Sequence, residues 1–340
     1  MPFVQEILKC RSLSIVGLEK NTGKTECFNY LIKRLSNKSL SIAVTSIGLD
    51  GERIDSVTGT KKPEIYLREG IFFATSEKLY KQRKILSEVV GISDSTGSLG
   101  RIITARALAC GKVMLAGPTG TSDLKQWMEE MRIKYKLSLC IVDGALSRMS
   151  LASPTVSEAM ILTTGASLSL NINHLVQKTG RLVDLVRLPL TSANTFATLE
   201  NVHSGIWGIT KDSELINLKI SSALEIEQVE TVILQTMVAV FISGALTDRF
   251  LNVLINRINV DGFELIVRDF TKIFADHRTI FNFQRRGGKI RVLQRSNLIA
   301  VCVNPASPTG AVLNSELLCS ELENEIKVPV YDIIKDGYEA

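Results

Sequence analysis

Paired cysteines, histidines and long apolar runs are what this sequence has least of. Its six cysteines (Cys10, Cys27, Cys110, Cys140, Cys302 and Cys319) are scattered with no CxxC pair, and only three histidines accompany them. Neither a zinc site nor a disulfide framework is expected, and the thiols read as buried and reduced, as in a cytoplasmic protein. The apolar stretch from Met237 to Leu246 falls far short of the roughly 18 residues that a membrane span needs. Met1 to Cys10 carries Glu6 and Lys9, so no export signal is read there. The formal charge of +5 gathers in short runs, Lys78 to Lys84 and Arg285 to Lys289. Runs of that length belong to solvated surface, and no nucleic-acid partner is expected. There is no internal repeat at fixed period and no low-complexity segment.

What is present is the composition of a globular protein of one or two domains, with 45% hydrophobic and 22% charged residues over 340 positions. Ser12 to Val16 is a short apolar run ending at Gly17, and a helix-compatible stretch, Thr25 to Leu35, follows the glycine-containing loop. Ser41 to Ile47 reads as the next buried parallel strand, with Gly48-Leu49-Asp50-Gly51 as its turn. From Ile71 to Leu115 short β-prone pieces alternate with turn residues, which predicts a β-rich insertion over 71–116 made of antiparallel hairpins. The α/β rhythm resumes with a helix over Thr121 to Tyr135, for which Thr121, Ser122 and Asp123 are cap candidates. Strands at Leu137 to Val142 and Glu158 to Thr163 and a helix over Ile172 to Val186 follow. Beyond a boundary near Pro189 to Asn194, strands are expected at Met237 to Ile242, Phe263 to Val267, Lys289 to Leu293, Leu298 to Val303 and Val328 to Ile333. Helices over Leu246 to Ile258 and Asn314 to Ile326 separate them. The fold class expected is α/β, with a mainly parallel sheet in a nucleotide-binding domain (1–190) and a second, smaller α/β unit (191–340).

The chemistry concentrates in Gly17-Leu18-Glu19-Lys20-Asn21-Thr22-Gly23-Lys24-Thr25. A loop that holds a triphosphate must approach it closely and deliver it to a helix N-terminus, where unpaired N–H groups and the peptide dipoles favour negative charge. Gly17 and Gly23 suit the approach. Lys24 can meet the β- and γ-phosphates, and the Thr25 hydroxyl can complete a magnesium shell. The first glycine stands one residue earlier than in the commonest spacing, where this chain has Leu18, so the loop is one residue longer. Magnesium also wants acidic residues at the ends of neighbouring strands, and Asp143, after Leu139-Cys140-Ile141-Val142, is the prime candidate. Asp50 and Glu52 follow the second strand and could orient an attacking water or contact the metal, or be a solvated turn. Lys24, Asp50 and Asp143 are thus the candidate catalytic residues, and Thr25, Asp50 and Asp143 the candidate metal ligands. Asn37-Lys38 continues as Ser39-Leu40, so the guanine-reading Asn-Lys-x-Asp pattern is missing and ATP is preferred to GTP. None of His174, His203 and His277 has a nucleophile elbow to serve, and each reads as an ordinary surface or core residue.

The spacing Gly17-x5-Gly23-Lys24-Thr25 resembles dethiobiotin synthetase and its relatives in the branch of P-loop proteins that includes the MinD-type ATPases. There, an acidic residue followed by Gly-Ala, as in Asp143-Gly144-Ala145, closes the magnesium site. Lys20 resembles the additional lysine that MinD-like members use across a dimer interface, but it stands one position off; an exposed loop lysine is the favoured reading, with a homodimer left open.

A resemblance covering nearly the whole chain rests on Ser14 to Glu26, Ile141 to Arg148, Thr164-Gly165-Ala166 and Asn304-Pro305-Ala306-Ser307-Pro308-Thr309-Gly310. These segments look like the P-loop subunit family of lysine 5,6-aminomutase reactivases. The resemblance implies a nucleotide-binding set of Gly17, Lys20, Asn21, Thr22, Gly23, Lys24, Thr25 and Glu26 with Mg-ATP as ligand. It also implies an ATP-dependent chaperone that works with a MutS-like subunit to replace damaged cobalamin on the aminomutase with intact adenosylcobalamin. The chain has no Asp-x-His-x-x-Gly cobalamin-ligating pattern, since Asp276 and His277 are adjacent, so the partner enzyme would hold the cofactor. The alternative is a small-molecule synthetase in which ATP activates an acid held by cations such as Arg101, Arg106 and Arg148.

Overall fold

The computed structural model describes residues 3–35, 40–46, 64–97, 99–145, 153–154 and 156–338. The chain divides into two compact units, one formed by Met1–Gly180 with Asn297–Ala340 and the other by Arg181–Ser296.

The first unit runs through α1 (Phe3–Ile7), β1 (Ser12–Gly17), α2 (Lys24–Leu35), β2 (Ile42–Ser46), β3 (Ile65–Leu67), β4 (Phe72–Ser76) and α3 (Glu77–Tyr80). It continues with β5 (Ser87–Gly97), β6 (Gly100–Ala107), β7 (Gly111–Val113), α4 (Thr121–Tyr135), β8 (Leu139–Ala145), β9 (Ala159–Gly165) and α5 (Ile172–Val186), which carries the chain across the unit boundary. The second unit contains α6 (Ala193–Leu199), β10 (Ile206–Thr210), β11 (Leu215–Asn217), α7 (Thr231–Gln235), β12 (Met237–Ile242), α8 (Asp248–Arg257), β13 (Glu264–Val267), α9 (His277–Arg285) and β14 (Lys289–Val292). The chain then re-enters the first unit with β15 (Leu298–Asn304), α10 (Ser315–Ile326), β16 (Val330–Asp332) and α11 (Ile333–Tyr338).

The main sheet has nine strands in the order β16-β15-β9-β1-β8-β2-β4-β6-β5. All neighbours from β16 to β4 are parallel, and β6 and β5 add antiparallel pairs at one edge. β1 is central because its run Leu13-Ser14-Ile15-Val16 is buried on both faces, as a strand covered by helices on both sides requires. Side chains alternate between the two faces. Ile141 of β8 packs with Ile15 of β1 and with Phe28 and Leu31 of α2, whereas Cys140 and Val142 pack with Leu124, Trp127 and Met131 of α4. That alternation puts Asp143, in step with Ile141, on the face that α2 covers.

The second unit holds a five-stranded sheet, β11-β10-β12-β13-β14, in which β12, β13 and β14 are parallel. Phe250, Leu251 and Leu254 of α8 and Ile280 and Phe283 of α9 cover one face, against Val240, Leu265 and Val292. Phe241 and Ile266 face the opposite way, towards Leu199 and Phe196 of α6.

Three sequence expectations differ from this architecture. Residues 297–340 do not belong with the second unit. β15 is a buried apolar strand that pairs in parallel with β9 and completes the first sheet, a choice of partner that chain order cannot reveal. The β-rich stretch 71–116 forms β4 to β7 as expected, yet β4 lies parallel to β2 and the β5–β6 hairpin extends the same sheet. Only the β3–β7 pair stands apart. At α4 the cap is Gly120 with no side-chain hydrogen bond, so Thr121, Ser122 and Asp123 lie inside the first turn. Asp123 there sets a negative charge near the helix N-terminus.

Candidate functional site

The loop after β1 is held by β9. Leu18 N–H donates to the Thr163 carbonyl (2.9 Å), carrying β1's pairing one residue past its end. The Thr22 hydroxyl donates to the Glu19 carbonyl (2.9 Å) and lies 3.0 Å from Thr163 Oγ1. With its single proton spent on Glu19, Thr22 accepts from Thr163. Thr22 is buried, so its hydroxyl turns inward and ties the loop to both Glu19 and β9.

Asn21 (φ 60°) and Gly23 (φ 91°) then take left-handed conformations that reverse the chain into α2. Cys27 N–H donates to the Gly23 carbonyl (2.9 Å), an early rung of the helix. Lys24 is the first residue of α2, and its Nζ stands 3.7 Å from Asp143 Oδ1. Register explains the meeting, for Asp143 lies opposite Ile15 of β1 on one side and Ser46 of β2 on the other. A methyl group on Gly17 would stand 2.7 Å from Thr22 Oγ1 and 3.0 Å from Lys24 Cγ and Cδ. Glycine at 17 is thus what lets the lysine stem lie back across the strand.

The arrangement offers an ammonium, a carboxylate and a helix N-terminus at the C-terminal ends of parallel strands, where α/β sheets bind ligands. Lys24 and Asp143 keep 24% and 30% of their side-chain surface, so both remain accessible to a ligand. Thr25 is half-buried in the first turn of α2; Lys20, Asn21 and Glu26 are exposed. Among the described residues no group of three or more His, Cys, Asp and Glu side chains could hold a metal by itself. A magnesium ion shared with phosphate needs only one or two protein oxygens, and the Asp143 carboxylate and Thr25 hydroxyl have the chemistry for it.

The other candidates are not gathered here. Asp50, Glu52 and Arg148 lie outside the described residues. Arg101 and Arg106 are on β6, four strand positions from β1 and so roughly 19 Å away at about 4.8 Å per strand. Arg106 lies over the Phe72 ring and 3.8 Å from Glu88. His174, His203 and His277 are all exposed. A cavity of about 260 Å³, lined by Arg11, Lys125, Arg132 and Glu158 among others, sits at the N-terminal ends of β1 and β9, the opposite end from the loop.

The cysteines are not uniformly buried. Cys27, Cys140 and Cys302 are, whereas Cys10 and Cys319 are half-buried and Cys110, in the turn between β6 and β7, is exposed. Burial pushes the Cys140 thiol up to about 12 and, with Cys27 beside it (Sγ to Sγ 3.9 Å), raises Cys302 well above the usual thiol range.

Two residues at the loop carried no sequence signal of their contact with it. Thr163 reads as one more position of a buried strand. Asn304, at the end of β15, donates from Nδ2 to the Asn21 carbonyl (3.1 Å) across 283 residues of chain. Among the described residues no helix is long and apolar enough to cross a membrane. No protein-family model matches the chain, and neither does any curated protein or solved structure.

Proposed function

We propose that the chain is a P-loop ATPase whose loop 17–25 binds Mg-ATP. The observation that carries this reading is the meeting of Lys24, first residue of α2, with Asp143 at the end of the neighbouring strand, over a glycine that leaves room for the lysine stem. Lys24 binds the terminal phosphates as a point charge, and Thr25 and Asp143 hold the magnesium ion, directly or through water. Bound magnesium supplies neutralisation of charge on the phosphate oxygens. Asp143 also keeps the Lys24 ammonium over the loop.

Within that class we propose the reactivase role: nucleotide states of this subunit, with a MutS-like partner, drive exchange of damaged cobalamin on lysine 5,6-aminomutase in the cytoplasm. Support comes from the segment resemblance, the missing cobalamin-ligating pattern, and a separate compact unit, Arg181–Ser296, large enough to serve a partner. Such an ATPase works only if its nucleotide states bind client conformations with different affinity. The synthetase reading needs cations beside the γ-phosphate; of its three candidates Arg101 and Arg106 lie four strands from β1, and Arg148 lies outside the described residues. The test is to inactivate the aminomutase by turnover and add this protein, the MutS-like subunit, Mg-ATP and fresh adenosylcobalamin. Activity should return only with all four and not with Lys24→Ala. Equal recovery without this chain or without ATP would sink the reactivase role.

A further inference from the structure

Asn304 meets the loop from a strand that no local signal ties to it. Its Oδ1 accepts the Ala306 N–H (3.1 Å), so the amide is oriented with Nδ2 towards the Asn21 carbonyl. Its own carbonyl accepts the Ala166 N–H (2.9 Å). Two glycines make the approach geometrically open: a methyl on Gly165 would lie 2.0 Å from the Asn304 carbonyl oxygen, and one on Gly23 would lie 3.0 Å from Asn304 Cβ. Asn304 is therefore fixed at both its backbone and its side-chain oxygen before its amide reaches the loop. What it grips is the carbonyl of Asn21, the non-glycine residue held left-handed at φ 60°. Asparagine adopts that conformation more readily than other non-glycine residues, and the hydrogen bond from Asn304 selects it over the extended alternatives open to a free loop.

We infer that Asn304 is a positioning residue: by holding the Asn21 carbonyl it keeps the loop in its phosphate-ready shape before any ligand arrives. The inference rests on the nucleotide reading for its purpose, but its structural content is independent of it. A preorganised loop spends less binding free energy on ordering itself, so releasing it weakens every ligand held by phosphate alone.

The test has a ligand-free arm and a binding arm. Hydrogen exchange on the ligand-free protein compares amides 19–25 in wild type and Asn304→Ala, with β1 and β9 as internal controls. Exchange at the loop should speed up several-fold while the strands stay unchanged. Calorimetric titration should then show Mg-ATP and inorganic tripolyphosphate weakened by the same factor, about three- to tenfold for loss of one hydrogen bond. Asn304→Leu, with nearly the same outline but neither donor nor charge, replaces the alanine variant if that does not fold. Unchanged loop exchange would overturn the inference, as would a loss confined to ATP, which would make Asn304 a contact to the nucleoside. Failure of wild type to bind either ligand would instead remove the nucleotide reading, while the exchange arm would still decide the positioning role.

Discussion

The Lys24 ammonium and the Asp143 carboxylate stand 3.7 Å apart, too far for a tight hydrogen bond and close enough to fix each other's direction. A partly exposed pair at that distance contributes less than about 1 kcal/mol to folding. Its value is in placement: the helix brings the cation and the neighbouring strand the anion to one point over the loop. Lys24→Ala should leave the unfolding midpoint nearly unchanged and weaken Mg-ATP by about 10- to 100-fold, the loss of a charge-assisted contact of about 1.5–3 kcal/mol. Calorimetric titration measures it. Unaltered affinity in a folded variant would remove the loop assignment.

Asp143→Asn separates the metal from the phosphate. The substitution keeps side-chain volume while removing charge from the ion's surroundings. Magnesium-dependent hydrolysis should fall by about two orders of magnitude, on the order of 3 kcal/mol of barrier, while magnesium-free nucleotide binding changes little. Phosphate-release assays with a magnesium titration decide the matter. Equal rates in wild type and variant would refute the role given to Asp143.

Gly17→Ala tests the close approach. The added methyl would meet Thr22 Oγ1 at 2.7 Å, and that hydroxyl is buried and bonded to both Glu19 and Thr163. It has nowhere to retreat, so the loop must shift. A cost of about 1–3 kcal/mol in stability is expected, with Mg-ATP affinity falling at least about tenfold. Paired thermal unfolding and titration check both numbers, and a variant with normal stability and affinity would show that Gly17 does not need to be glycine.

How much of this could be read from the residues follows the range of the signals. The apolar runs that became β1, β12 and β15, and the 3.6-residue periodicity that became α4, α5 and α8, are local, and they located those elements to within two residues or so. The meeting of Lys24 with Asp143 was legible because a glycine-bounded loop opening a helix and an acid ending a buried strand both have local sequence context. β10, α9 and the capping role of Gly120 were not, being short or set by tertiary packing. Thr163 and Asn304 were invisible as loop contacts because their meaning lies in sheet order: β9 and β15 become neighbours only after the chain has passed through the whole of Arg181–Ser296. Which sheet a buried strand joins is decided by packing between distant segments, and nothing in β15 itself encodes it.

Cys140 makes stability depend on alkaline pH, and the sign can be worked out. Burial raises its thiol from 9.0 to about 12 in the folded chain. A group raised on folding contributes fully below its unfolded value, and that contribution is lost as pH climbs from about 9 towards 12, because the unfolded thiol ionises first. At pH 10.5 the loss is about 1.5 pH units times roughly 1.4 kcal/mol, or about 2 kcal/mol. Cys140→Ala, which opens a small cavity beside Trp127 and Met131, should be about 1 kcal/mol less stable than wild type near pH 7.5. It does not carry the ionisation penalty, so the two should converge and then cross before pH 10.5. Urea unfolding followed by Trp127 fluorescence in a Trp207→Phe background reports on the cluster that contains Cys140. A stability gap that stays constant from pH 7.5 to 10.5 would mean that Cys140 titrates in the folded chain as it does in the unfolded one, and that its burial against α4 does not hold in solution.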